Sequence, residues 1–180
     1  GCRDVAVAAD GRVFALDTDR IQVFDADLDF LEIFCDSEGG DSLAVYGNRL
    51  HVLDANPNQT IRVFDTETGA FVREYGGPGS AEGNLDCDWK NNIAFNSQGE
   101  LWVVDSGNAR IQIFDAEGNF IRAFGTEGEG DGQFRFTANV GNIAFDSQDR
   151  AYITDFGGSN GRIQIFNRNG TFQRKILRPW

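Results

Sequence analysis

The sequence predicts an all-β protein, a β-propeller segment with four visible blades of four short strands each. Three observations support this fold class: a recurring tetrapeptide, four strand-like runs around each copy, and no sustained helical period. The tetrapeptides IQVF, IRVF, IQIF and IQIF recur at intervals of 40, 50 and 52 residues. They begin at Ile21, Ile61, Ile111 and Ile163. One blade cannot bury both of its faces, so the four blades must pack side by side.

Each copy contains the same order of four runs, rich in β-branched and aromatic residues, which predict strands. In the third copy the runs are NIAFN, LWVVD, RIQIFD and FIRAFG, and the fourth copy follows them closely. Dipeptides that favour tight hairpin turns separate the runs. These dipeptides are Asp10-Gly11, Gly47-Asn48, Gln98-Gly99, Glu117-Gly118 and Asn169-Gly170. One propeller segment, 1–180, is therefore predicted, with blades at about 3–36, 37–77, 78–126 and 127–180.

Aligning the copies explains individual positions in the second strand. Its second residue is a large planar group in every copy, which we predict to wedge between neighbouring blades. These residues are Phe14, His51, Trp102 and Tyr152. His51 is the only histidine, and this slot predicts a packed structural side chain rather than a ligand or a base. The strand ends in each copy at an aspartate, whose carboxylate is predicted to set the next turn through local backbone N–H groups. These are Asp17, Asp54, Asp105 and Asp155.

Composition excludes several classes of protein. The 180 residues are 41% hydrophobic and 24% charged, as expected of a globular domain. No apolar run approaches the roughly 20 residues of a membrane span. The net charge of -12 repels phosphate backbones and so disfavours nucleic-acid binding. The chain has no methionine and opens at an innermost strand, so we expect a processed or partial chain that belongs to a larger propeller or assembly.

The third and fourth copies resemble the NHL repeat along nearly their full length. The resemblance rests on NIAFNSQGELWVVDSGNARIQIFDAEGNFIRAFG at 92–125 and on EGEGDGQF at 127–134, followed by GNIAFD, AYITD and RIQIFN. It implies a propeller, most often of six blades, that serves as a binding platform. Some relatives are enzymes, including peptide-amidating lyases, but those use several histidines around zinc and this chain has one.

The leading functional hypothesis is a non-catalytic NHL-type platform that binds another protein. The linkers at 77–91 and 126–141 are longer than the first linker, and insertions in repeat proteins gather on one binding face. They carry aromatic and cationic residues of the kind favoured at interface hot spots. Together with two turns expected on the same rim, the predicted binding residues are Trp89, Lys90, Arg135, Phe136, Asn108, Phe156 and Asn160. Phe134 is predicted instead to tuck under its linker as local core.

The alternative is a calcium-dependent propeller hydrolase or lyase, lactonase-like, with its metal at the axial channel. Carboxylates at the linkers could coordinate calcium there, and the candidates are Asp86, Asp88 and Asp131. The run Asp25, Asp27 and Asp29 resembles the start of a calcium loop, but Phe30 stands where the loop needs glycine. The glycine-rich linkers lack the G-K-[ST] of a phosphate loop. The platform hypothesis itself needs no cofactor.

An open arc of four blades would expose one apolar face at each end. We therefore expect these faces to be covered by further blades, by a second copy in a homo-oligomer, or by closure of the chain onto itself. The segment 156–180 has five basic residues and no acidic one, which suits an acidic neighbour, including a further blade. Cys2, Cys35 and Cys87 leave two alternatives open, one disulfide with a spare thiol or three thiols.

Overall fold

The computed structural model describes residues 1–18, 20–36, 40–55, 57–87, 91–136, 141–157 and 161–177, with the side chains of residues 35 and 36 excepted. All of the regular elements in these ranges are β-strands. The first eight are β1 (Asp4–Val7), β2 (Val13–Leu16), β3 (Arg20–Phe24), β4 (Phe30–Asp36), β5 (Ser42–Tyr46), β6 (Arg49–Asp54), β7 (Thr60–Asp65) and β8 (Phe71–Gly76). The others are β9 (Ile93–Phe95), β10 (Leu101–Asp105), β11 (Arg110–Phe114), β12 (Phe120–Phe124), β13 (Ile143–Phe145), β14 (Ala151–Asp155), β15 (Arg162–Phe166) and β16 (Phe172–Leu177).

Consecutive strands form four antiparallel sheets of four strands each, in chain order within every sheet. We name them blade 1 (β1–β4), blade 2 (β5–β8), blade 3 (β9–β12) and blade 4 (β13–β16). The first strands of neighbouring blades lie side by side, β1 next to β5, β5 next to β9, and β9 next to β13. The predicted all-β fold of four four-stranded blades is therefore confirmed. Within the described ranges no helix is long and apolar enough to cross a membrane.

The hairpin turns use glycine where the sequence predicted it. Gly11, Gly47, Gly99, Gly118 and Gly170 all have positive φ, a conformation that costs glycine nothing. Two turns differ. The β13–β14 turn of blade 4 places Asp149 at φ 56, and the turn between the third and fourth strands of blade 1 places a leucine where blades 2 to 4 have glycine. Leu28 has φ 68 and is 67% exposed.

The hydrophobic core lies between blades and is divided into three clusters, one for each pair of neighbours. Phe14 and Trp102 belong to these clusters, and all three of Phe14, His51 and Trp102 are 0% exposed, which confirms the predicted wedge at these positions. Each ring packs against the next blade's first strand: the His51 ring is 4.9 Å from that of Phe95, and the Trp102 ring is 5.2 Å from that of Phe145. Tyr152 is partly exposed.

A second aromatic group, on the outermost strand, bridges each pair of blades. The Tyr75 ring lies 6.1 Å from His51 of its own blade and 5.3 Å from Phe114 of the next. Phe124 repeats this arrangement one blade later, 5.4 Å from Trp102 and 4.9 Å from Phe166. Phe34 does the same in blade 1. The contacts within a blade are edge-to-face, and those from Tyr75 and Phe124 to the next blade are tilted. Aromatic contacts of this kind add to the stabilisation from buried area, so neighbouring blades are packed together at their outer edge as well as near the axis.

Candidate functional site

The two long linkers cross from β8 to β9 and from β12 to β13, and each buries apolar surface between blades. Leu85 and Phe134 are both 0% exposed. Each linker folds back on itself through an isolated parallel bridge, Pro78 with Leu85 and Glu127 with Phe134. The prediction that Phe134 belongs to the local core is confirmed. We name the exposed edge formed by these linkers and by the β10–β11 and β14–β15 turns the linker rim.

A buried polar clamp fastens the first linker to blade 3. The carboxylate of Asp105 accepts the backbone N–H of Asp86 at 2.8 Å and the Nε–H of Arg110 at 2.6 Å. It also accepts the side-chain amide of Gln112 at 2.9 Å. Gln112 in turn accepts the backbone N–H of Gly83 at 2.9 Å through its Oε1 atom. The strand-end aspartate therefore binds a linker 19 residues earlier in the chain.

Blade 4 contains the same clamp. Asp155 accepts the backbone N–H of Arg135 at 2.8 Å, the Nε–H of Arg162 at 2.8 Å and the amide of Gln164 at 3.1 Å. The remaining Arg162 nitrogens donate to the carbonyl oxygens of Glu129 at 2.6 Å and Gln133 at 2.8 Å. Bonds to a buried charged group are stronger than neutral ones, so the linker backbone is held rigidly.

The clamps correct the predicted role of these aspartates. Asp17 does accept the N–H of its neighbour Thr18, at 2.7 Å, as the prediction of local turn-setting requires. In blades 3 and 4 that prediction is wrong, because the carboxylates accept backbone N–H groups from the distant linkers instead. A repeated tripeptide in the sequence could have predicted this arrangement. R-I-Q recurs after the strand-end aspartate at 20–22, 110–112 and 162–164, and it supplies the arginine and glutamine of the clamp in blades 3 and 4.

Two charged residues of opposite sign occupy equivalent places on the linker rim. Asp86 follows the buried Leu85, and Arg135 follows the buried Phe134; both are exposed. Each lies against a glycine of the neighbouring turn, since a Cβ on Gly107 would meet Asp86 and a Cβ on Gly157 would overlap Arg135. The clamped N–H of each residue fixes its backbone, so the two side chains start from defined points on the rim.

A cavity of about 210 Å³ opens beside Arg135. It is lined by Gly128, Glu129, Arg135, Asp155, Gly157, Arg162, Lys175 and Leu177. Arg135 pairs with Glu129 at 2.5 Å, but these side chains are 47% and 67% exposed. Lys175 pairs with Asp131 at 2.7 Å, also near the surface. Exposed pairs exchange partners at little cost, so the side chains of Arg135 and Lys175 can turn to an incoming anionic group.

The other predicted binding residues occupy different environments. Phe156 is 42% exposed on the β14–β15 turn. Phe136 is half-buried and stacks on Phe134, with ring centroids 4.9 Å apart. Asn108 donates to the carbonyl oxygen of Gly79 at 3.0 Å and to Asp105, so it helps to fasten the first linker. Trp89, Lys90 and Asn160 lie outside the described residues.

The predicted metal ligands are distributed over both linkers. Asp86 lies at the first linker, beside Gly107, and Asp131 lies at the second, bound to Lys175. Asp88 lies outside the described residues. In the part of the chain that the structure describes, no group of three or more His, Cys, Asp or Glu side chains is placed to hold a metal ion.

The single histidine is buried between blades 2 and 3. Burial lowers the pKa of His51 from its ordinary 6.5 to about 4, and the nearby Arg73 and Arg49 act in the same direction. Its Nδ1 lies 3.1 Å from the Tyr75 hydroxyl, and its ring is edge-on to Phe95. His51 is thus a neutral packing group at neutral pH.

Comparison with known proteins agrees with this architecture. A family model for the NHL repeat matches residues 91–114. Protein brain tumor of Drosophila melanogaster is 38% identical over 84 residues, which is 47% of this chain and 8% of that protein. RING finger protein nhl-1 of Caenorhabditis elegans is 36% identical over 66 residues, 37% of this chain and 7% of that protein. The matches therefore span less than a tenth of either relative.

Superposition on solved structures identifies the same fold. The virginiamycin B lyase from Staphylococcus aureus superimposes with a TM-score of 0.67 at 16% identity, covering 99% of this chain and 56% of that chain. At this identity the likeness shows the fold alone. The four sheets are therefore blades of a β-propeller. Residues 91–114 of this propeller match the NHL repeat, which confirms the predicted resemblance to that repeat.

Proposed function

We propose that this chain is a non-catalytic NHL-type binding platform that takes a protein segment on the linker rim. The proposal rests on the way in which Arg135 is held: its backbone is fixed and its side chain is exposed. Its backbone N–H is fixed by the buried carboxylate of Asp155 at 2.8 Å, while its side chain is 47% exposed beside the cavity of about 210 Å³.

A fixed backbone under an exposed arginine is a favourable arrangement for recognition. Ordering a side chain on binding costs about 0.5–1.5 kcal/mol, and a clamped linker lowers the additional cost of ordering the backbone. Arginine and aromatic groups are enriched among residues that dominate interface energies. Arg135 and Phe156 therefore favour a partner segment that presents a carboxylate next to an apolar side chain.

The alternative of a calcium-dependent hydrolase or lyase has less support from the described residues. The lyase likeness concerns the fold at 16% identity. Asp86 and Asp131 belong to different linkers, and Asp131 is engaged by Lys175. His51 is 0% exposed between blades and so does not reach a ligand on the rim.

The proposal is tested with peptides selected from a random display library on the immobilised chain. Their dissociation constants are then measured by fluorescence anisotropy against an Arg135→Ala/Phe156→Ala variant. We expect this variant to bind at least about tenfold more weakly, a loss of about 1.4 kcal/mol. Its thermal stability should change little, because both side chains are exposed.

The matched control removes an arginine and a phenylalanine from the opposite end of the blades. Arg150→Ala/Phe71→Ala suits this purpose, since the two side chains are 41% and 57% exposed. This control should bind the selected peptides within about twofold of the unmodified chain. Equal weakening by both variants, or by neither, would contradict a binding site on the linker rim.

A further inference from the structure

Two equivalent positions of the linker rim are built alike but carry opposite charges. The backbone N–H of Asp86 donates to Oδ1 of Asp105 at 2.8 Å, and that of Arg135 donates to Oδ1 of Asp155 at 2.8 Å. Each residue directly follows the buried apolar residue of its linker, and each side chain is exposed. The clamp therefore repeats the backbone position from blade 3 to blade 4, whereas the sign of the charge is reversed.

The exposure of this position does not depend on a missing neighbour. Asp86 belongs to the linker that enters blade 3, which has blade 2 on one side and blade 4 on the other, and it is exposed all the same. The neighbouring turn packs on it: the N–H of Gly107 donates to the carbonyl oxygen of Asp86 at 2.7 Å, and a Cβ on Gly107 would lie 2.6 Å from its Oδ2 atom. The carboxylate is thus held against the turn and presented on the surface of the rim.

The two linkers also differ in how these charges are compensated. In the second linker, Arg135 pairs with Glu129 at 2.5 Å, and both side chains are near the surface. Aligning the two linkers on their parallel bridges places Ser80 where the second linker has Glu129. Among the residues that the structure describes, the carboxylate of Asp86 has no ion pair and accepts no hydrogen bond. The first linker therefore presents an unpaired carboxylate, and the second presents a cation whose exposed pair can be exchanged at little cost.

The spacing of the blades sets the kind of partner that reaches both charges. At the inner ends of the linkers, Asn91 and Gly141 form a bridge, where the chains are about 4.8 Å apart, the usual spacing of paired strands. Asp86 and Arg135 are clamped to the second strands of their blades, farther from the axis, where neighbouring blades diverge. An extended segment advances about 3.3 Å per residue, so the groups that meet the two charges come from different side chains of that segment.

Opposite charges at equivalent positions also fix the register of a bound segment. Because the two clamps are alike, a rim with identical side chains would accept the same segment at either of two places, one blade apart. With Asp86 and Arg135, a segment that is shifted by one blade or reversed in direction sets a like charge against at least one of them. Like-charge contacts across an interface suppress wrong partners and wrong registers.

We propose that the linker rim selects an extended partner segment with a lysine or arginine against Asp86 and an aspartate or glutamate against Arg135. This inference rests on the proposed function and names the charge pattern that its partner carries. Charge complementarity of this kind contributes specificity and a faster association rate. The pair of charges, one blade apart, is the feature that distinguishes the two otherwise repeated positions.

The test uses peptides selected from a random display library on the unmodified chain, with dissociation constants measured by fluorescence anisotropy. Asp86→Asn removes one charge and keeps the shape of the side chain. We expect this variant to bind the selected peptides at least about tenfold more weakly. Its thermal stability should change little, because the side chain is exposed and the clamp uses the backbone N–H.

The matched control is Asp27→Asn, which removes the same charge from the β3–β4 turn. Asp27 is also exposed, and its backbone N–H also donates to a neighbouring carboxylate, that of Asp25 at 3.0 Å. This control should bind within about twofold of the unmodified chain, since it changes the net charge without changing the rim. Equal weakening by Asp27→Asn and Asp86→Asn would show an effect of net charge alone and would overturn the inference.

Exchanging the two charges gives a second test. Asp86→Arg/Arg135→Asp, checked for folding by far-UV circular dichroism, should bind the selected peptides at least about tenfold more weakly. It should bind peptides in which the acidic and basic residues have been exchanged, and these peptides should bind the unmodified chain poorly. A folded exchange variant that still prefers the original peptides would overturn the inference.

Failure of this inference is distinguishable from failure of the proposed function. If Asp86→Asn binds within about twofold while Arg135→Ala/Phe156→Ala weakens binding, the charge pattern is wrong and the binding site on the linker rim stands. If neither variant weakens binding, the selected peptides bind elsewhere, and both the inference and the proposed site are wrong.

Discussion

The Nε–H of Arg162 donates to Oδ2 of Asp155 at 2.8 Å in the interior of blade 4, where the two side chains are 7% and 2% exposed. The other nitrogens of Arg162 bind the linker carbonyl oxygens, and Asp155 binds the linker N–H of Arg135. One buried ion pair therefore joins two strands and the segment that carries the rim.

Arg162→Ala should lower the free energy of unfolding by about 3–5 kcal/mol, because it leaves the Asp155 carboxylate buried and unpaired. Urea denaturation followed by circular dichroism measures this change. The control is Lys175→Ala, which removes an ion pair whose side chains are 36% and 51% exposed. Its cost should stay below roughly 1 kcal/mol. Equal costs for the two variants would contradict a specific role for the clamp.

Gly157→Ala should displace the second linker, because the added Cβ would overlap the carbonyl oxygen of Arg135. We expect a loss of about 1–3 kcal/mol in the free energy of unfolding, as for other substitutions that overfill a tight contact. In the amide NMR spectrum, the largest shifts should fall at 126–136. Gly1→Ala is the control, since its Cβ would have no atom within 4 Å. Shifts spread evenly over all four blades would contradict the local effect.

Trp102→Ala should lower the free energy of unfolding by about 3–5 kcal/mol, because it leaves a cavity in the wedge position between blades 3 and 4. The ring is 0% exposed and makes edge-to-face contacts with Phe124 at 5.4 Å and Phe145 at 5.2 Å. Trp102→Phe should cost clearly less, because Phe14 fills the same slot in blade 1. Denaturant midpoints measured for both variants check the order, and a smaller loss for alanine than for phenylalanine would contradict the wedge.

The fold was predictable because its determinants are local and repeated. The strand runs, the turn glycines and the wedge position of His51 all follow from short patterns that recur in each copy. The role of Asp155 was not predicted, because its partners lie on a linker 20 residues earlier and are partly backbone groups. The fastening role of Asn108 was missed for the same reason, since its acceptor is the carbonyl oxygen of Gly79.

The proposed binding site is predicted less completely than the fold. Arg135 and Phe156 are exposed on the linker rim, where the sequence placed them, but exposure identifies no partner.

His51 should make stability fall as the pH drops from about 6.5 to about 4. Its pKa is lowered in the folded protein from 6.5 to about 4, chiefly by burial, so in this window the unfolded chain binds more protons than the folded one. Its contribution is fully present above pH 6.5 and is lost progressively down to pH 4. The difference of pKa corresponds to about 3 kcal/mol.

Urea denaturation at intervals between pH 7 and pH 4 tests this prediction against His51→Phe, which keeps a planar group in the wedge slot. The variant should remain folded and show a flatter pH dependence in this window. The carboxyl groups of Asp17 and Asp146, whose pKa values are lowered to about 2, titrate below it in the folded protein and are common to both chains. Because His51→Phe removes the partner of the Tyr75 hydroxyl, His51→Phe/Tyr75→Phe separates that cost, about 1 kcal/mol, from the proton linkage. Parallel curves for the unmodified chain and both variants would show that His51 is not the group that titrates.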